Sequence, residues 1–117
     1  MTINKVIKDV DELKPNTIPQ EIKAGWLISL EGRISLEILK QQEPVKLEYP
    51  DDGDTELLVP FPYDDLYEIY LSALVDENAR DFDGYNNNMI RYNQKLEEYR
   101  NYVMNSTPSP YRFRNII

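Results

Sequence analysis

Gly84-Tyr85-Asn86-Asn87-Asn88-Met89-Ile90-Arg91-Tyr92-Asn93-Gln94-Lys95-Leu96-Glu97-Glu98-Tyr99-Arg100-Asn101-Tyr102-Val103 is the stretch that decides the fold. Within it Tyr85, Met89, Tyr92, Leu96, Tyr99 and Val103 step by four and three residues in turn, which places all six on one face of a helix. About twenty helical residues would span about 30 Å. The spacing is that of a heptad seam, and it serves either a coiled coil or, more commonly, an ordinary core. Asn86-Asn87-Asn88 forms helix weakly and falls near its start. Asn105-Ser106-Thr107-Pro108-Ser109-Pro110 ends it.

Working back from this helix, Pro60-Phe61-Pro62-Tyr63-Asp64-Asp65-Leu66-Tyr67 launches another. Asp64 and Asp65 in its first turn favour the helix dipole. Leu66, Ile69, Tyr70, Ala73 and Leu74 give it an apolar stripe, and it ends around Asn78 to Asp83. Ile3, Val6, Ile7, Val10 and Leu13 predict a first helix, capped by Thr2 and stopped at Lys14-Pro15-Asn16. A second opens at Thr17, with Gln20 as capping-box partner and Pro19 in its first turn. Its predicted apolar face is Ile22, Trp26, Leu30, Ile34 and Ile38, with Leu27 on the flank. Gly25, Ser29 and Gly32 make a small-residue stripe, either for close approach of another helix or as tolerated exposed positions.

Between the second and third helices, residues 41–61 lose the helical period. Val45, Leu47 and Tyr49 alternate with Lys46 and Glu48, a strand signal, and Asp52-Gly53 is a hairpin-type turn before Thr55 to Val59. A small β-hairpin, an ordered irregular loop and a mobile acidic loop all fit. The expected fold is therefore mainly α: a small antiparallel four-helix core over residues 1–104, an inserted loop or hairpin at 41–61, and an extended arm at 105–117. In that arm Tyr111-Arg112-Phe113-Arg114 alternates rings with arginines, which fits either a segment laid on a partner or a disordered tail.

The 117 residues make one domain. The chain has no cysteine and no histidine, which excludes disulfides and thiolate sites and removes the commonest general base and zinc ligand. No segment approaches a membrane span, and Met1-Thr2-Ile3-Asn4-Lys5 does not begin a signal peptide, so the chain reads as soluble and cytoplasmic. The net charge of −8 is uneven. Residues 1–40 are neutral, 41–84 hold 13 acidic and 2 basic residues, and 85–117 hold 2 acidic and 5 basic. Such polarity suits head-to-tail contact between copies, although a solvated acidic face is the plainer alternative. No Lys/Arg cluster equips the chain to bind nucleic acid. There is no nucleophile elbow and no phosphate loop. The acidic run Asp51-Asp52-Gly53-Asp54-Thr55-Glu56 fails the EF-hand pattern, because with Gly53 in sixth place Pro50 is third and Val59 twelfth. The expected protein has no catalytic residues, no metal and no cofactor, and is not an enzyme.

Five phrases in order carry a resemblance. They are Val10-Asp11-Glu12-Leu13-Lys14-Pro15-Asn16, Trp26-Leu27-Ile28-Ser29-Leu30-Glu31-Gly32-Arg33-Ile34, Asp54-Thr55-Glu56-Leu57-Leu58-Val59-Pro60, Pro62-Tyr63-Asp64-Asp65-Leu66-Tyr67 and Gly84-Tyr85-Asn86-Asn87-Asn88-Met89. Together they are spread over residues 10–89, and they resemble the head–tail connector (adaptor) proteins of siphovirus-like tailed phages and prophages. The resemblance implies a small helical protein that forms a homo-oligomeric ring, a dodecamer in the virion neck. That ring docks under the portal protein after genome packaging, having been made in the bacterial cytoplasm. It extends the DNA channel and offers a surface to a head-completion or tail-joining protein; DNA passes without sequence-specific binding and no membrane is involved.

From exposure logic, Trp26, Tyr67, Tyr70, Tyr111, Arg112, Phe113 and Arg114 are the candidate subunit contacts. Asp51, Asp52, Asp54 and Glu56 are candidates for an acidic lumen, whose wall would repel phosphate and let DNA slide. The alternative is an acidic phage-encoded inhibitor that mimics DNA and binds a basic host protein.

Overall fold

Helix α3 (Leu66–Asn78) is the hub of the computed structural model, which describes residues 1–106. Helices α1 (Ile3–Leu13), α2 (Gln20–Glu37) and α4 (Phe82–Ser106) all pack on it, α4 most extensively. α1 also packs on α2, whereas α2 and α4 do not approach each other closely. The described residues contain four helices and no strand, so the fold is mainly α. Its four helices are arranged as three around a central one. The position of α3 explains why Leu66, Tyr67, Ile69, Leu71, Ser72, Ala73, Val75 and Asp76 are all buried: a helix surrounded on several sides has no single apolar face. The proposed arm contacts Tyr111, Arg112, Phe113 and Arg114 lie outside the described residues, and α4 continues two residues past the expected boundary at 104.

α1 forms as its sequence dictates. Thr2 Oγ1 accepts a hydrogen bond from the Lys5 amide at 3.2 Å, and Ile3, Val6, Ile7 and Val10 are buried. Leu13, on the same stripe, is 75% exposed. α2 departs from expectation twice. The Thr17–Gln20 capping box does not form; Pro19 is the N-cap and makes no side-chain cap bond, while Asn16 Oδ1 accepts from the Ile18 amide at 3.1 Å. The buried face is Lys23, Ala24, Leu27, Leu30, Glu31, Ile34 and Ser35, so Ile22 is exposed and Trp26 only half-buried. Three polar residues occupy the inner face, and apolar spacing alone therefore pointed slightly to one side of it.

The small-residue stripe of α2 also resolves. A Cβ on Gly25 would meet nothing within 4 Å, and one on Gly32 would make ordinary contact with Val45 O at 3.5 Å. Close helix approach is not the reason for Gly25. Gly25→Ala is accordingly expected to stabilise the protein by about 0.5–1 kcal/mol through helix propensity, read as a raised urea midpoint at constant m.

Residues 41–61 form an ordered irregular loop. The alternation read from the sequence is real, since Val45, Leu47 and Tyr49 are half-buried and their neighbours exposed, but they pair with no strand. The returning segment bonds elsewhere: the Leu57 amide donates to Met1 O at 2.9 Å and Thr2 bridges Glu56 antiparallel. The Asp52-Gly53 turn forms, and Gly53 O accepts from the Asn4 amide at 3.0 Å. Tyr49-Pro50 and Phe61-Pro62 are cis.

α4 begins at Phe82, earlier than its apolar stripe suggests, because Asp81 Oδ1 accepts from the Gly84 amide at 3.0 Å and caps it. The stripe faces α3 as expected: Tyr92 and Tyr99 are buried, with Met89, Leu96 and Val103 packed against the core. At 25 residues α4 is about 37 Å long. A Cβ on Gly84 would fall 2.5 Å from Asp81 Oδ2 and 2.8 Å from Asp76 Oδ2. Both oxygens are committed to bonds or sit at the cap, so Gly84→Ala is expected to cost about 1–3 kcal/mol in urea unfolding.

Candidate interaction surface

Three buried polar clusters hold the helices to one another, and each draws on residues of the five phrases. The first joins α1 to α2. Lys23, only 1% exposed, donates to Asp11 Oδ1 and Oδ2 at 2.7 and 2.9 Å and to Asn16 Oδ1 at 3.0 Å. All three ammonium protons are thereby used. Burial pushes the Asp11 carboxyl up, but the Lys23 ammonium with the Asn16 and Gln20 amides holds it, on balance, below the usual range.

The second ties the loop to α2 and α3. Glu31, also 1% exposed, accepts from the Leu58 amide at 2.7 Å and from the Tyr67 hydroxyl at 2.6 Å. The same hydroxyl accepts from the Val59 amide at 3.0 Å. Burial raises both Glu31 and Tyr67 above their ordinary values. Tyr67 is fully buried within the molecule, which corrects its expected place on an exposed contact face. The third cluster fastens the C-terminal end of α3. Asp76 accepts from Lys14 Nζ at 2.7 and 2.9 Å and from Asn88 Nδ2 at 2.9 Å, joining α1, α3 and α4. No buried side-chain N or O among the described residues lacks a partner. A fourth set, Lys5, Asp9 and Glu68, lies on the α1–α3 seam. The Lys5 ammonium, 3.0 Å away, lowers Asp9, while burial and then the Asp9 charge raise Glu68.

The acidic segment is docked on the start of α1. Asp54 Oδ1 accepts from Asn4 Nδ2 at 2.9 Å, Glu56 pairs with the Met1 ammonium, and Asp52 Oδ2 accepts from the Glu48 amide at 2.7 Å. Asp51 is exposed. Carboxylates beside a helix N-terminus are favoured by its dipole, so much of this charge has a local structural use. Among the described residues no three His, Cys, Asp or Glu side chains are placed to hold a metal ion, and no helix is long and apolar enough to cross a membrane.

The outer surface carries several exposed apolar side chains. Phe61 is 85% exposed, Met104 64%, Phe82 59% and Ile90 58%. Tyrosines collect along α3 and α4: Tyr63 lies 5.7 Å from Tyr99 and 5.2 Å from Tyr102, and Tyr70 lies 4.9 Å from Tyr92. Because α2 and α4 stand apart, a groove of about 290 Å³ opens between them with Tyr70 and Leu74 on its floor. Leu30 and Ile34 form one wall, Met89 and Tyr92 the other. Burial raises the Tyr92 hydroxyl to about 12. Arg33 stands at the rim, bonding the Tyr70 hydroxyl at 2.9 Å with its guanidinium carbon 5.7 Å from that ring's centre. Of the sequence-derived contact residues, Tyr70 therefore lines the groove and Trp26 sits half-buried on α2. Phe61 was not singled out, although a phenylalanine between two prolines was the available signal.

No protein-family model, no curated protein and no solved structure matches this chain.

Proposed function

We propose that this chain is a structural subunit of the phage or prophage neck, a head–tail connector that forms a ring under the portal and extends the DNA channel. Its outer face would receive a head-completion or tail-joining protein. The observation that carries this reading is the division of labour between inside and outside. The buried charges Lys23, Glu31 and Asp76 serve as ties between helices. The outside bears Phe61, Phe82 and Ile90, large apolar side chains that are mostly exposed. A rigid body with spare aromatic and aliphatic anchors is suited to contact and not to turnover. The resemblance adds to this, since its five phrases supply Asp11, Lys14, Asn16, Glu31, Leu58, Val59, Tyr67 and Asn88, partners in the ties, although Lys23 and Asp76 lie outside them. The likeness thus falls on residues that set the shape of the body. The segment 51–56 is proposed to face the channel.

Mass measurement of the full chain across a concentration series, followed by negative-stain imaging, tests the reading. Rings are the expected result. A stable 1:1 complex with a basic host protein at low salt, without rings, would favour the DNA-mimic alternative instead.

A further inference from the structure

We draw no further inference here: the strongest candidate, the shallow aromatic cleft that Tyr63 and Tyr102 form with Glu98, Asn101 and Ser106 beside the C-terminal end of α4, is an exposed face whose Glu98 is already paired with Lys95, and nothing among the described residues shows what covers it.

Discussion

Asp11→Ala is expected to lower the unfolding free energy by about 3–5 kcal/mol, the cost of leaving a buried charge uncompensated. Lys23 is 1% exposed and its ammonium bonds only Asp11 and Asn16, so removing the carboxylate strands a cation that cannot reach water without disturbing α2. Lys23→Met should cost less, about 1–2 kcal/mol. In that variant the orphan is Asp11, whose side chain is 27% exposed and open to hydration. Urea unfolding at neutral pH measures both, and the order matters more than either value. Equal losses would mean that the Lys23 head group escapes to solvent. The sign of the pH dependence follows from Asp11 lying below the usual carboxylate range. Its contribution is fully present above the unfolded value and is lost as pH falls through the folded one. Asp11→Ala should flatten that acid limb.

Glu31→Leu comes next, with an expected cost of about 2–4 kcal/mol from two stranded donors, the Leu58 amide and the Tyr67 hydroxyl. Leucine fills similar space, so the loss is polar and not a cavity effect. Glu31→Gln keeps one acceptor oxygen and should cost less. The pH response here has the opposite sign to that of Asp11. Burial raises Glu31 in the folded state, so between its unfolded and folded values the folded protein holds more protons and stability falls as pH rises. In Glu31→Gln that downward slope should vanish while the acid limb from Asp11 remains. A slope unchanged by the substitution would show that Glu31 is not the group responsible.

These two sites mark where the sequence is hard to read. The α4 stripe from Tyr85 to Val103 and the Thr2-capped α1 were legible, because apolar spacing and cap chemistry are local signals. The inner face of α2 was not, since Lys23, Glu31 and Ser35 are indistinguishable by type from solvated residues until Asp11, Tyr67 and the loop are brought against them. Tyr67 was misplaced for the same reason: beside Asp64 and Asp65 it reads as surface, and only the long-range partner Glu31 explains its burial. The hairpin signal failed differently. Val45, Leu47 and Tyr49 do alternate, yet residues 55–59 pair with the chain's first residues and with Glu31, partners far away in sequence. The candidate surface follows the same rule. Tyr70 could be named as a candidate from the sequence, whereas the groove it lines exists only because α2 and α4 stand apart on α3.

A body built from internally satisfied charges leaves function to its outside. The acidic 51–56 segment is anchored on α1 and, on the proposed reading, would present its remaining charge to the channel. On the proposed reading, the exposed aromatic and aliphatic side chains would serve contacts with other copies and with neighbouring neck proteins.

Quantitative mass spectrometry of gradient-purified phage particles from a strain carrying this gene is the most direct measurement. A neck subunit would be found in the particles at a level equimolar with the portal protein and absent from heads purified before genome packaging. Its absence from complete particles, with the chain abundant in the same lysate, would contradict a place in the neck.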